Sequence, residues 1–181
     1  MKHLPPKYIT LHAAATYPSM DIDIQWIKDI HVKQRGWSDV GYHYFIQRDG
    51  TMQKGRPDYR LGAHVGGHNT GNLGVCMAGG LKEGTKQPED NFTPEQWETL
   101  NGLLDKLLDE YPDAEIVGHN YFPRYKSRGC PCFDWETYGK WVKDMREAMY
   151  APEDWYTFDW HVHSPDDYQL PEDFYEAVEK K

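Results

Sequence analysis

The stretch "NFTPEQWETLNGLLDKLLDEYPD", residues 91–113, specifies a helix by both its start and its face. Thr93 is suited to cap it, and Pro94 takes the first helical position, where a missing N–H leaves no bond unmade. Gln96 stands three residues after the cap and completes a capping box. Trp97, Leu100, Leu103, Leu104, Leu107 and Leu108 then recur at intervals of three and four and form one apolar stripe. Such a stripe needs an apolar surface to lie on, and "AEIVGHN" directly behind it reads as a strand ending at His119.

Other segments supply the rest of that surface. "KYITLHAAA" reads as a strand through Tyr8, Ile9 and Thr10, ending at His12. "VGYHYFIQRDGTMQKGR" reads as two strands joined at the Asp49-Gly50 turn. "GNLGVCMAGG" is a short apolar run between glycines, as a strand buried on both faces requires. Ile22, Trp26, Ile27 and Ile30 fit one face of a helix capped by Asp21 or Asp23. Trp135, Tyr138, Trp141, Val142 and Met145 fit the inner face of another, capped by Asp134. The order predicts an α/β domain with a central mixed β-sheet flanked by helices.

The chain of 181 residues has room for one core and an appendage rather than two domains. The expected division is a domain over 1–150 and a C-terminal extension over 151–181, acidic yet aromatic and expected to pack on the body. That extension holds nine Asp or Glu against Lys180 and Lys181, so most of the formal net charge of −9 sits there and the body is near neutral. A near-neutral body without basic runs does not suit nucleic-acid binding. No run approaches the roughly 20 apolar residues of a membrane span, and the N-terminal prolines interrupt any signal-peptide pattern. A cytoplasmic protein without stable membrane association is expected, as a monomer.

The chemistry-bearing residues are fewer. Catalytic zinc takes three protein ligands and an open fourth position, and two histidines with one cysteine are a permissible set. His12 and His119 end predicted strands, and "KSRGCPCFDW", residues 126–135, offers Cys130 and Cys132 across a loop. Spacing alone leaves this stretch as a metal ligand or as a buried turn with two small apolar thiols. A disulfide between Cys130 and Cys132 would close a very tight ring and is not expected. Cys76, inside an apolar strand, reads as a buried inert thiol. His43, one residue after Tyr42 on a predicted strand, should face the opposite way and belong to the core. His161, His163 and Asp159 in the extension read as solvated or packing residues.

Seven segments, "LHAAAT", "GWSDVGYHYFIQRDGT", "GAHVGGHN", "GVCMAGG", "NFTPEQ", "GH" and "CPCFD", occur in the order found in type 2 zinc-dependent N-acetylmuramoyl-L-alanine amidases. The chain resembles that family over roughly residues 6–142, and within it the small amidase lysozymes of T-odd coliphages. The resemblance implies the fold shared with peptidoglycan recognition proteins. It implies one zinc ion on His12, His119 and Cys130, with Cys132 at a variable position, and Tyr42 as a catalytic tyrosine. Residues 64–69 match a glycine-rich groove segment, which makes His64, His68 and Asn69 candidates for contact with glycan or peptide.

Two features depart from the family pattern: the passage from His119 to Cys130 is a few residues longer, and one basic position differs. A catalytic lysine two residues before the zinc cysteine is replaced by Arg128, with Lys126 two residues further back. A guanidinium stabilises an oxyanion but does not readily shed a proton, so Arg128 implies electrostatic help and Lys126 leaves proton transfer open. The implied activity is hydrolysis of the amide between the muramic acid lactyl group and L-alanine in peptidoglycan, as a phage-type endolysin in host lysis. A non-catalytic peptidoglycan-binding module and a cytoplasmic muropeptide-recycling amidase are the alternatives. By family likeness alone, a phage RNA polymerase is a further partner to test.

Overall fold

The computed structural model describes residues 5–150, and the extension with Asp159, His161 and His163 lies outside the described residues. The elements follow the expected order: β1 (Tyr8–Ala13), α1 (Ile24–Asp29), β2 (Tyr44–Ile46), β3 (Met52–Lys54), β4 (Asn72–Met77), α2 (Pro94–Glu110), β5 (Glu115–Gly118) and α3 (Trp135–Met149). They build one mixed sheet in the order β3-β2-β4-β1-β5. Strand β1 pairs in parallel with β4 from Tyr8 opposite Asn72 to Ala13 opposite Met77, and in parallel with β5 on its other side. Strand β2 is parallel to β4, and β3 turns back antiparallel at the edge.

The two faces of the sheet have different jobs. Ile9, Leu11, Ala13, Leu73, Val75, Met77 and Ile116 point to one face, where they meet the whole leucine stripe of α2 together with Tyr138 and Val142 of α3. Each large apolar side chain buried this way contributes about 1.5–3 kcal/mol. Tyr8, Thr10 and His12 alternate to the opposite face. There Phe45 and Cys76 pack with Ile22, Ile27 and Val40 under α1.

Helix α1 is shorter than its pattern suggests. Asp23 is the cap, accepting from Trp26 N at 2.7 Å, and after six residues the helix widens into a π-turn over Ile30–Gln34. Ile22 and Ile27 are buried as the pattern requires, but Trp26 faces outward, 38% exposed, and Met145 of α3 is likewise exposed rather than inward. No helix among the described residues is long and apolar enough to cross a membrane.

The capping box of α2 also fastens the sheet. Thr93 Oγ1 accepts from Gln96 N and Gln96 Oε1 accepts from Thr93 N, both at 3.1 Å. Gln96, fully buried, then donates from Nε2 to Ala78 O at 2.9 Å and Ile46 O at 3.3 Å, closing carbonyls at the ends of β4 and β2. Gln96→Ala leaves both carbonyls buried without that donor, and urea unfolding is expected to show a loss of about 1–3 kcal/mol. Thr93→Ala, which removes only the cap, should cost about 1 kcal/mol in the same measurement.

Candidate active site

Parallel strands deliver their C-terminal ends to one edge, the usual place for ligands in open α/β sheets. His12 lies in β1 opposite Cys76, and His119 follows directly on β5, whose Gly118 faces Leu11 of β1. The two imidazole centroids are 4.5 Å apart. From His119 the chain makes two 3₁₀ turns, His119–Tyr121 and Pro123–Tyr125, and comes back so that Asn120 N donates to Cys130 O at 3.2 Å. Cys130 Sγ accepts from Ala13 N at 3.4 Å and lies 3.8 Å from His12 Nδ1. The peptide bond between Cys130 and Pro131 is cis, and Cys132, at φ +76°, turns aside to pack beside Gly80.

Ligand atoms of His12, His119 and Cys130 therefore all lie within 4.8 Å of one another. His119 Nε2 is buried with no hydrogen-bond partner. A buried ring nitrogen without a partner is costly unless something binds it. Two imidazoles and a thiol around such an atom suit a borderline-soft tetrahedral cation, so the residues fit a zinc ion.

Behind His12 stands a second histidine. His64 Nε2 is 3.1 Å from the Asn72 carbonyl, which only accepts, so that nitrogen carries the proton. His64 Nδ1 is then a lone pair, and His12 Nε2, 3.1 Å away, donates to it. His12 Nδ1 is left bare on the side of Cys130. His64 was expected on the groove surface, but it is 9% exposed with both nitrogens engaged inside the protein, a position that does not suit contact with glycan or peptide.

The segment that carries Tyr42 and His43 precedes β2 and is not strand, so alternation does not govern it. His43 is buried, accepts from Gly74 N at 2.9 Å and donates to Arg60 O at 2.9 Å. Tyr42 packs its ring 5.2 Å from that of His12 and 5.6 Å from that of His31. Burial, with the thiols of Cys76 and Cys130 near it, raises the Tyr42 hydroxyl well above its usual pKa, so it stays protonated. Cys76 is buried as expected, and Tyr42 is its neighbour.

Two residues that the sequence did not single out hold Tyr42 in place. His31, in the π-turn, accepts from Gly41 N at 3.0 Å and packs on Trp37. Arg56, buried, donates to Val40 O at 2.6 Å and to Leu61 O. Neither leaves a periodic signal, because each acts through backbone groups distant in sequence.

On the outer side, Asn69 Oδ1 accepts from His64 N and Val65 N, both at 2.9 Å, and so shapes the 64–69 loop from within. His68 is exposed and stacks on Phe122 with centroids 4.9 Å apart. Tyr125 joins this loop to the other wall: its ring lies 4.3 Å from that of His119 and its hydroxyl accepts from Gly66 N at 3.1 Å. The Arg128 guanidinium covers Tyr125, 5.3 Å from the ring centroid; its charge adds to burial in lowering the pKa of His119, and only partly offsets the burial that raises that of Cys130. Lys126 instead lines an open cleft with Asn120, Tyr121, Trp135 and Glu136 at the start of α3.

The sequence pattern of the N-acetylmuramoyl-L-alanine amidase family matches residues 2–133. The chain belongs to this family. The amidase is 42% identical over 133 residues to the endolysin of Enterobacteria phage K11, covering 74% of this chain and 83% of that one. It is 40% identical over 126 residues to the endolysin of Escherichia phage T7, covering 70% and 80%. Among solved structures it is similar to the Ph2119 endolysin from Thermus scotoductus MAT2119 bacteriophage Ph2119, with TM-score 0.59 and 32% identity over 72% of this chain and 80% of that one. Drosophila PGRP-LB, at TM-score 0.58 and 21% identity over 70% and 75%, shares the fold. The amidase is thus of the phage endolysin type, on the fold of the peptidoglycan recognition proteins.

Burial keeps the histidines of the amidase neutral, as metal ligation requires. His12 is held well below the usual histidine range by burial and by His64 and His119. Burial and Arg128 lower His119 to about 4, burial and Arg35 lower His31 to about 4, and burial and His43 lower His64 to about 3. The unfolded chain takes up these protons near pH 6.5, before the folded one does. Stability of the metal-free amidase should accordingly be full above about pH 6.5 and fall as the pH drops toward 4, by up to about 1.4 kcal/mol per pH unit for each histidine. Denaturant melts of chelator-treated protein across pH 7.5 to 4.5 measure this, and a flat profile would contradict it.

Proposed function

We propose that this amidase hydrolyses the amide between the lactyl group of N-acetylmuramic acid and L-alanine in peptidoglycan, using one zinc ion held by His12, His119 and Cys130. The observation that carries this reading is the set of three ligand atoms within 4.8 Å, with His119 Nε2 buried and unpartnered among them. Family membership and the phage endolysins at about 40% identity support the bond and the setting, release of wall-degrading activity from inside the host. A zinc ion bound there supplies a Lewis acid for the scissile carbonyl and lowers the pKa of the attacking water.

The chain's own groups do the rest. His12 and His119, neutral through burial, offer lone pairs without first losing protons. Cys130 has its thiol pushed up to about 12 by burial, so it releases its proton only as the site fills. Tyr42, kept protonated, donates a hydrogen bond to the oxyanion that develops on the carbonyl. Arg128 provides fixed positive charge at the rim, and its permanent protonation restricts it to electrostatic stabilisation. Lys126 is assigned no part in the reaction, since its cleft lies to the side with Trp135 and Glu136. The amide nitrogen departs as an amine with a proton that originates from the attacking water. His68 and Tyr125, at the two walls of the groove, are assigned to substrate contact.

Two measurements test these assignments. Cys130→Ser should lose stoichiometric zinc and lysis of intact sacculi, while Cys132→Ser keeps both. Zinc retained by Cys130→Ser, or lost from Cys132→Ser alone, would overturn the ligand set. In kcat on soluble muropeptides, Arg128→Ala should fall about 10²–10³-fold and Arg128→Lys should recover most of it, with Lys126→Ala near wild type. The reverse order would return the basic position to Lys126.

A further inference from the structure

We propose that His64 is a positioning residue for the metal site: it sets the tautomer and ring orientation of His12, so that Nδ1 rather than Nε2 faces the cation. This rests on the zinc reading above and extends it to a residue that touches neither metal nor substrate.

The origin of the constraint is one backbone carbonyl. Asn72 and Gly74 alternate away from β1, toward the side where β2 has yet to begin, because β2 meets β4 only from Val75 onward. Gly74 O accepts from His43 N at 2.9 Å, but Asn72 O and Gly74 N would be buried without strand partners. Two histidine side chains meet them instead: His43 accepts from Gly74 N, and His64 donates to Asn72 O. Since a carbonyl cannot donate, the donating nitrogen of His64 is settled at that end. The accepting nitrogen is thereby turned to His12 Nε2, 3.1 Å away. The proton order runs along the whole chain from Asn72 O to His12 Nδ1.

His64 is also held so that it cannot turn. A Cβ added at Gly62 would lie 2.5 Å from His64 Cδ2, and one at Gly74 would lie 2.7 Å from it, so the ring fits a slot with no spare atom on either side. Asn69 grips the His64 backbone N–H at 2.9 Å. Asn72 is itself fixed, its Oδ1 accepting from Thr10 at 2.7 Å and its Nδ2 donating to His68 O at 2.8 Å. Metal-bound histidines generally have the second ring nitrogen held by a carboxylate, carbonyl or water, which sets ring orientation. A neutral imidazole in that role orients His12 without adding negative charge, so the site carries only the charge of Cys130 to offset a divalent cation.

The test begins with wild-type protein. Long-range proton–nitrogen NMR on the metal-free chain should find His12 and His64 both protonated at Nε2, and a His12 protonated at Nδ1 would overturn the proposal. Zinc affinity is then measured by chelator competition, and cobalt absorption reports the ligand geometry. His64→Leu, folded by circular dichroism, should bind Zn²⁺ about 10–100-fold more weakly. His64→Asn, whose amide oxygen stands in for Nδ1 as acceptor, should recover part of that loss. A folded His64→Leu with wild-type affinity, or His64→Asn no better than Leu, would refute the positioning role alone. Failure of wild type to bind Zn²⁺ would instead refute the ligand assignment beneath it. If His64→Leu does not fold, the wild-type tautomers decide.

Discussion

The parallel pairing of β1 with β4 is the constraint on which the rest of this molecule depends. It fixes which side chains of β1 reach the leucine stripe of α2 and which reach the opposite face, and with them the place of His12. Through β4 it locates β2, and hence the Tyr42 segment. Through β1 it locates β5, and hence His119. His12 stands more than a hundred residues before His119 and Cys130, yet it lies within this pair, and His119 follows the neighbouring strand β5.

The site adds polar groups to an apolar interior and accounts for each of them. His12, His43 and His64 are buried, and apart from His12 Nδ1 their ring nitrogens meet one another or backbone groups. Neutral imidazoles suit this role because each provides one donor and one acceptor in fixed directions. The pattern stops at His12 Nδ1 and His119 Nε2, where Cys130 converges on them. The same burial that keeps the imidazoles uncharged also keeps the thiol of Cys130 protonated.

How much of this was legible in the sequence depended on range. Local signals were sound: Thr93, Pro94 and Gln96 form the cap that they spell, Asp134 caps α3, and Gly50 turns the hairpin. Periodicity worked for the long helix and only in part for α1, where Ile22 and Ile27 are buried but Trp26 lies outside. The strand order β3-β2-β4-β1-β5 carries no local mark. His12, His119 and Cys130 stood out as ligands only through likeness to a family, since strand-end histidines are common. The role of His64 was hidden because its partners, Asn72 O and His12, are set by tertiary structure. His31 and Arg56 escaped notice for the same reason, each holding backbone in another segment.

The alternation of β1 has a bearing on how such a chain varies in length. A single residue gained or lost between Tyr8 and His12 exchanges the two faces, sending an imidazole into the leucines of α2 and an aliphatic side chain into the site. The passage from His119 to Cys130 has no such parity, since it crosses two short turns and a tethering bond at Asn120 before it returns. Residues added to that passage would therefore reshape the rim around Tyr125 and Arg128 without displacing His12, whereas β1 tolerates no change of length.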